Sequence, residues 1–135
     1  MSNKLKKPAR SIGGTGIAGD SVSVLDGDFV SKVGGFVVAS TTGVDIIGCA
    51  AGEQTFAADN ETVAAAKMSY IATSEQVEVD SDIAGGTITQ ADEGKYFDLT
   101  DKDTVDGTTE SATTGQLQLV KFISATVGRF RVVNK

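Results

Sequence analysis

The stretch QLQLVKFISATVGRFRVV, residues 116–133, carries the clearest strand pattern in the chain. Leu117 and Leu119 alternate with glutamines, and the phase then slips, which predicts a β-bulge near Leu119 and Val120. After a break at Gly128, apolar residues alternate with arginines, so the two runs predict a β-hairpin. Because an isolated hairpin is marginal in water, we expect the rest of the chain to supply a sheet for it.

The composition indicates a single β domain. The chain has 135 residues, long enough for one core, with 16 Gly and only one Pro. Short apolar runs at 29–33, 36–39 and 44–51 are separated by glycine-containing turns, and strands repeated about every 8–12 residues are typical of barrels and sandwiches. The sequence therefore predicts an all-β fold, a compact barrel or a small sandwich.

The side chains that most enzymes depend on are scarce. There is no histidine, which removes the commonest general base and the usual zinc ligand. The lone Cys49 has an apolar flank and is interpreted as a small buried hydrophobe. We therefore predict no enzyme activity, no catalytic residues and no cofactor. No apolar run is long enough for a membrane span, and the basic N-terminus lacks a secretory signal.

Charge is distributed unevenly along the chain. Residues 1–10 carry Lys4, Lys6, Lys7 and Arg10 and no acid, whereas the remainder holds eighteen acids against eight bases. We predict an extended basic and glycine-rich arm over residues 1–19, followed by a single acidic β domain over residues 20–135. An acidic body repels phosphates, so nucleic acid is not expected as a partner.

Two motifs invite a chemical interpretation. Residues 14–19 match G-x-G-x-x-G, but a charged tail precedes them and a strand pattern follows, so a flexible hinge is favoured over a nucleotide site. Residues 100–115 are interpreted as a polar, acidic loop with one hydrophobe, Val105. Its Asp101, Asp103 and Asp106 leave calcium binding open, although the EF-hand pattern fails, and paired-carboxylate hydrolysis is a weaker alternative. We predict no metal site.

Four further segments carry local predictions. Residues 62–73 are predicted as a strand, with a short helix capped by Asp59 and Asn60 as the alternative. Residues 76–83 are predicted as an edge-like strand with a charged face, and residues 87–89 as a short strand. Residues 91–94 are predicted as a turn or a single helical turn.

Several of these segments together resemble a family of viral proteins. They are DSV at 20–22, GDFV at 27–30, DIIGCA at 45–50, TITQADEGKYFDL at 87–99 and TGQL at 114–117. In layout they resemble small capsid decoration, or cement, proteins of tailed bacteriophages. The resemblance covers roughly residues 20–133.

The resemblance implies a compact β-barrel or β-tulip-like domain without catalysis. It implies binding to the major capsid protein on the outer surface of the virion, after synthesis in the host cytoplasm, and a homo-oligomer, with a trimer favoured. The N-terminal arm of such proteins lies on the coat protein, which makes the candidate capsid-binding residues Lys4, Leu5, Lys6, Lys7, Arg10 and Ile12. Two other interpretations stay open: another virion β-module, such as a head-fibre base or tail adaptor, and a calcium-dependent carbohydrate-binding module.

Overall fold

A computed structural model describes residues 3–7, 13–72 and 77–135 of the chain. The fold is all-β, as predicted. The strands are β1 (Lys4–Lys7), β2 (Gly13–Ile17), β3 (Ser23–Val24), β4 (Phe29–Val33), β5 (Phe36–Ala39), β6 (Ile46–Ala50), β7 (Gln54–Thr55), β8 (Lys67–Ala72), β9 (Glu78–Ala84), β10 (Tyr96–Phe97), β11 (Leu99–Asp101), β12 (Thr104–Asp106), β13 (Leu117–Ser124) and β14 (Val127–Val132). A single π-helical turn spans Asn60–Ala64, and a 3₁₀ turn spans Gln90–Asp92.

The first sheet is a nearly closed barrel with the strand order β10-β13-β14-β9-β12-β11. Its two outermost strands, β10 and β11, are separated along the chain by Asp98 alone. The sheet must therefore curl until its ends meet. Strands β13 and β14 form the predicted hairpin, and the register shift between Leu119 and Lys121 confirms the predicted bulge.

The second sheet has the order β2-β8-β6-β4-β5. Its ends also approach each other, because Ala18 forms a parallel bridge with Val37 and the Gly19 amide donates to the Val37 carbonyl at 2.9 Å. Strands β3 and β7 form a separate two-stranded ribbon. The apolar run at 44–51 contains the largely buried strand β6.

Two apolar clusters meet at strands β4 and β6. Phe29 of β4 and Cys49 of β6 belong to the cluster under the first sheet, which also contains Phe130. Their chain neighbours Val30 and Ala50 belong to the cluster inside the second sheet. Because neighbouring strand residues point to opposite faces, these two strands form a wall shared by both clusters.

The prediction of a polar loop over residues 100–115 is wrong for its first part. That part contains the end of β11, a turn and the whole of β12, and β12 runs parallel to β9 with Val105 opposite Ile83. Val105 is fully buried in the first cluster. Val105 alone faces the core from this strand, and its neighbours Thr104 and Asp106 are half-buried.

The predicted strand start at residue 62 is also wrong, since β8 begins at Lys67. The alternative, a short helical segment, holds for the π-turn. The buried Asn60 side chain ends that turn: its amide donates to the Ala18 carbonyl at 2.8 Å and to the Ala66 carbonyl at 3.0 Å, and its oxygen accepts from the Ala66 amide at 3.1 Å. Strand β8 therefore begins only after this hydrogen-bonded loop, at Lys67.

Two further local predictions are corrected by the contacts. The predicted edge strand at 76–83 is β9, which is paired on both sides, by β14 on one and by β1 and β12 on the other. The predicted strand at 87–89 is an irregular segment. Its buried Ile88 is held by one bond from its amide to the Ala125 carbonyl at 3.0 Å, and Thr89 caps the following 3₁₀ turn, which confirms the helical turn expected there.

Candidate partner-binding surface

The basic residues predicted to bind a partner lie partly in a strand of the protein's own sheet. Lys4, Leu5, Lys6 and Lys7 form β1, and the Lys4 side chain is exposed. Arg10 and Ile12 lie outside the described residues. Of the predicted arm, β1 thus joins the first sheet and β2 joins the second.

Strand β1 fills the part of the β9 edge that β12 leaves open. It pairs antiparallel with residues 78–80, with Lys4 opposite Asp80 and Lys7 opposite Glu78, and a register shift lies between them. Strand β12 pairs with the same side of β9 over residues 82–84. The two strands therefore share one edge end to end, and β1 stands outside the main order of the barrel.

A buried asparagine anchors the start of β1. The Asn3 side chain is only 4% exposed. Its amide donates to the carbonyls of Gly27 at 3.1 Å and Lys102 at 3.3 Å, and its oxygen accepts from the Ser81 hydroxyl at 2.6 Å. These partners lie 24, 99 and 78 residues away in sequence, so no local pattern could have identified Asn3.

The Asn3 site has a fixed shape. Gly27 has a φ of +86°, and a Cβ at this residue would stand 2.6 Å from the Asn3 carbonyl oxygen. Only glycine combines this backbone conformation with so close an approach. The Gly27 turn therefore forms a fitted wall against the N-terminal segment.

Charges alternate across the strands beneath β1. Lys4, Asp80 and Arg129 stand in one row, since Asp80 is the register partner of both cations. Arg129 Nε donates to Asp80 Oδ1 at 2.8 Å, and this hydrogen bond raises the pKa of Arg129. The acidic strand β9 thus lies between two basic strands, an arrangement that favours β1 in the position where it is found.

A buried carboxyl group lies next to the Asn3 site. Asp28 is fully buried, its Oδ2 accepts from the Leu25 amide at 2.8 Å, and Lys102 Nζ lies 3.7 Å from the same oxygen. Within the described part of the chain, Asp28 Oδ1 has no hydrogen-bond partner. Burial raises the pKa of Asp28 above the ordinary carboxyl value, because removal from water disfavours the charged form.

The acidic residues considered for calcium bind their own loop. The Asp103 amide donates to Asp101 Oδ1 at 3.1 Å, and the Thr108 amide and hydroxyl donate to Asp106 Oδ1 at 2.9 and 2.6 Å. Among residues 3–7, 13–72 and 77–135, no group of three or more His, Cys, Asp or Glu is placed to hold a metal. Their oxygens act as turn-forming acceptors, as in ordinary Asx turns.

The other two sequence motifs serve packing. The glycine motif lies in β2 and the residues directly after it, where a Cβ at Gly14 would meet the Tyr70 ring at 2.4 Å and one at Gly16 would meet Val37 at 2.7 Å. The predicted flexible hinge is therefore wrong for this segment. Cys49 is buried, as predicted, and desolvation raises the pKa of its thiol to about 12. At neutral pH it is an inert core residue.

A small polar cleft lies at the opposite end of the chain. It has a volume of about 300 Å³ and includes Asp45, Asp98, Gln116 and Asn134 in its lining. Gln116 and Asn134 are used internally: Gln116 Oε1 accepts from the Leu99 amide at 2.8 Å, and Asn134 bonds the Ile46 amide and carbonyl, each at 2.9 Å. Through these bonds Gln116 contacts Leu99 of the first sheet, and Asn134 contacts Ile46 of the second sheet.

No protein family model and no curated protein matches the chain. In the described ranges, the structure contains no helix with the length and apolar character needed to cross a bilayer.

Proposed function

We propose that this chain is a non-catalytic decoration, or cement, protein that binds the outer surface of a tailed-phage head and stabilises contacts between major capsid proteins. The observation that carries the proposal is the Lys4–Lys7 strand, which is added to the β9 edge outside the main order of the barrel. It adds to the resemblance described above, which covers the body of the chain.

The body has the character of a passive clamp. Two apolar clusters share a wall, Cys49 is packed in the core, and the acids once considered for calcium accept hydrogen bonds in local turns. A clamp needs a rigid body and a separate contact element, and a strand offers main-chain hydrogen bonds to a partner without demanding a particular side-chain sequence.

The N-terminal charge supports an acidic partner surface. Lys4 is exposed, and residues 1–10 hold four cations without an acid. Such a segment steers the protein towards acidic patches of a shell, and its contribution weakens with salt. The copies would assemble on the virion surface, with trimers favoured, after synthesis in the host cytoplasm.

Charge-neutralised variants test the proposal with a matched control. One variant carries Lys4→Gln, Lys6→Gln and Lys7→Gln. The control removes the same charge from exposed lysines of the body, through Lys32→Gln, Lys67→Gln and Lys121→Gln. Co-sedimentation with expanded phage heads lacking their decoration protein should show loss of binding for the arm variant and retention for the control. Equal binding by both variants would contradict a role of the N-terminal lysines in binding to heads.

Deletion and imaging complete the test. We expect deletion of residues 1–12 to abolish binding to heads while the circular dichroism spectrum of the body is retained. Cryo-electron microscopy of bound heads should show density repeated over the whole surface. Density at a single vertex would instead support a tail adaptor or a fibre base.

A further inference from the structure

We propose that residues 3–7 form an exchangeable strand: where copies of this chain lie side by side, the strand of one copy occupies the β9 edge of the next. The partner is a second copy of this chain. The inference rests on the proposed function only for the setting that brings copies together, and it can be tested without a shell.

The β9 edge requires a cover. Val77 and Val79 are buried on the core side, and β12 reaches only residues 82–84. If β1 left, residues 78–80 would present unpaired backbone groups, which invite pairing with another chain. A strand placed there pairs these groups, and the contacts are the same whether it comes from the same copy or from a neighbour.

The cover is specific to this segment. Asn3 makes three hydrogen bonds to three separate parts of the fold, and the Gly27 turn is shaped to the Asn3 backbone. An unrelated strand could pair with residues 78–80, but the Ser81 hydroxyl and the buried Gly27 carbonyl would then lack the Asn3 side chain. The fitting occupant is therefore another copy of residues 3–7.

The strand can leave without dismantling the body. Strand β1 stands outside the main order of the barrel and pairs with β9, so its departure leaves that order unbroken. Five residues, 8–12, connect it to β2, which limits the span between Lys7 and Gly13 to about 20 Å. Only closely packed copies can exchange strands, which predicts dependence on protein concentration.

Mixed single-cysteine variants test the exchange directly. Lys4 and Asp80 are opposite residues of an antiparallel pair, whose Cα separation of roughly 4.5–5.5 Å suits a disulfide. Full-length Lys4→Cys is mixed with full-length, affinity-tagged Asp80→Cys at increasing concentration and oxidised with diamide. We expect the yield of disulfide-linked heterodimer to increase with protein concentration and to exceed the yield of a control mixture at least about tenfold. In the control mixture the tagged partner carries Asp45→Cys, at an exposed residue outside β1 and β9.

The remaining controls make either outcome decisive. The double variant Lys4→Cys/Asp80→Cys reports the intrachain pairing by its faster mobility, and Asn3→Ala should lower the heterodimer yield in the mixture. The pair Lys7→Cys and Glu78→Cys repeats the test if Asp80→Cys unfolds the protein. Intrachain disulfide without heterodimer at any concentration would overturn the exchange. Head binding in that case would leave the proposed function standing, whereas exchange without head binding would reject the function alone.

Discussion

Replacement of Asn3 by alanine should release the N-terminal strand. The substitution removes three hydrogen bonds and leaves the buried Ser81 hydroxyl and Gly27 carbonyl without the Asn3 side chain, whereas the Lys102 carbonyl still accepts from the Phe29 amide. Loss of one partner of a buried polar group costs about 1–3 kcal/mol. Since every 1.4 kcal/mol is a factor of ten, the opening of β1 should become roughly 5- to 150-fold more frequent.

Native-state hydrogen exchange measures this opening residue by residue. Protection of the β9 amides that pair with β1 should fall by that factor, while amides of the β13–β14 hairpin keep their protection. Ser81→Ala is the matched control, because it removes only one of the three bonds and should have a smaller effect. Unchanged protection of residues 78–80 in Asn3→Ala would refute the role of Asn3 as an anchor.

Three further outcomes are expected in the body. Val105→Ala removes two buried methyl groups opposite Ile83 and should lower the free energy of unfolding by about 2 kcal/mol in urea titrations. A loss below about 0.5 kcal/mol, typical of a surface residue, would contradict the burial of Val105. Cys49, with its thiol pKa raised to about 12, should resist alkylation in the native state and react fully in denaturant, and rapid native labelling would contradict its burial. Because burial raises the pKa of Asp28, its native state binds a proton more readily than the unfolded chain, so its contribution to stability is greatest in acid and is lost as the pH rises through the folded-state pKa. Asp28→Asn should therefore gain more stability relative to the wild type at about pH 7 than at about pH 4, and an equal difference at both pH values would reject a raised pKa.

Local patterns predicted the parts of the fold that local patterns determine. The β13–β14 hairpin and its bulge follow from an alternation that slips by one residue, and the burial of Cys49 follows from its apolar flank. In each case the residues that decide the structure lie within a few positions of one another. The all-β class follows from the same short runs and glycine turns.

The errors occur where distant partners decide. Val105 becomes a core residue because β9 lies beside it, and β9 becomes an internal strand because β1 and β14 flank it. Two glycines of β2, Gly14 and Gly16, are required by Tyr70 and Val37, which are far away in sequence. Asn3 had no signal at all, since its site is assembled from three remote segments. Tertiary contacts of this kind override local propensity.

The wall formed by β4 and β6 has a mechanical consequence. Phe29 and Cys49 belong to one apolar cluster, and their neighbours Val30 and Ala50 belong to the other. Displacing β4 or β6 to open one cluster therefore also disrupts the packing of the other cluster. A load applied anywhere on the body is therefore resisted by both halves together, and failure should be all-or-none. For the cement protein proposed above, this means that a pull between two coat proteins would meet both clusters at once.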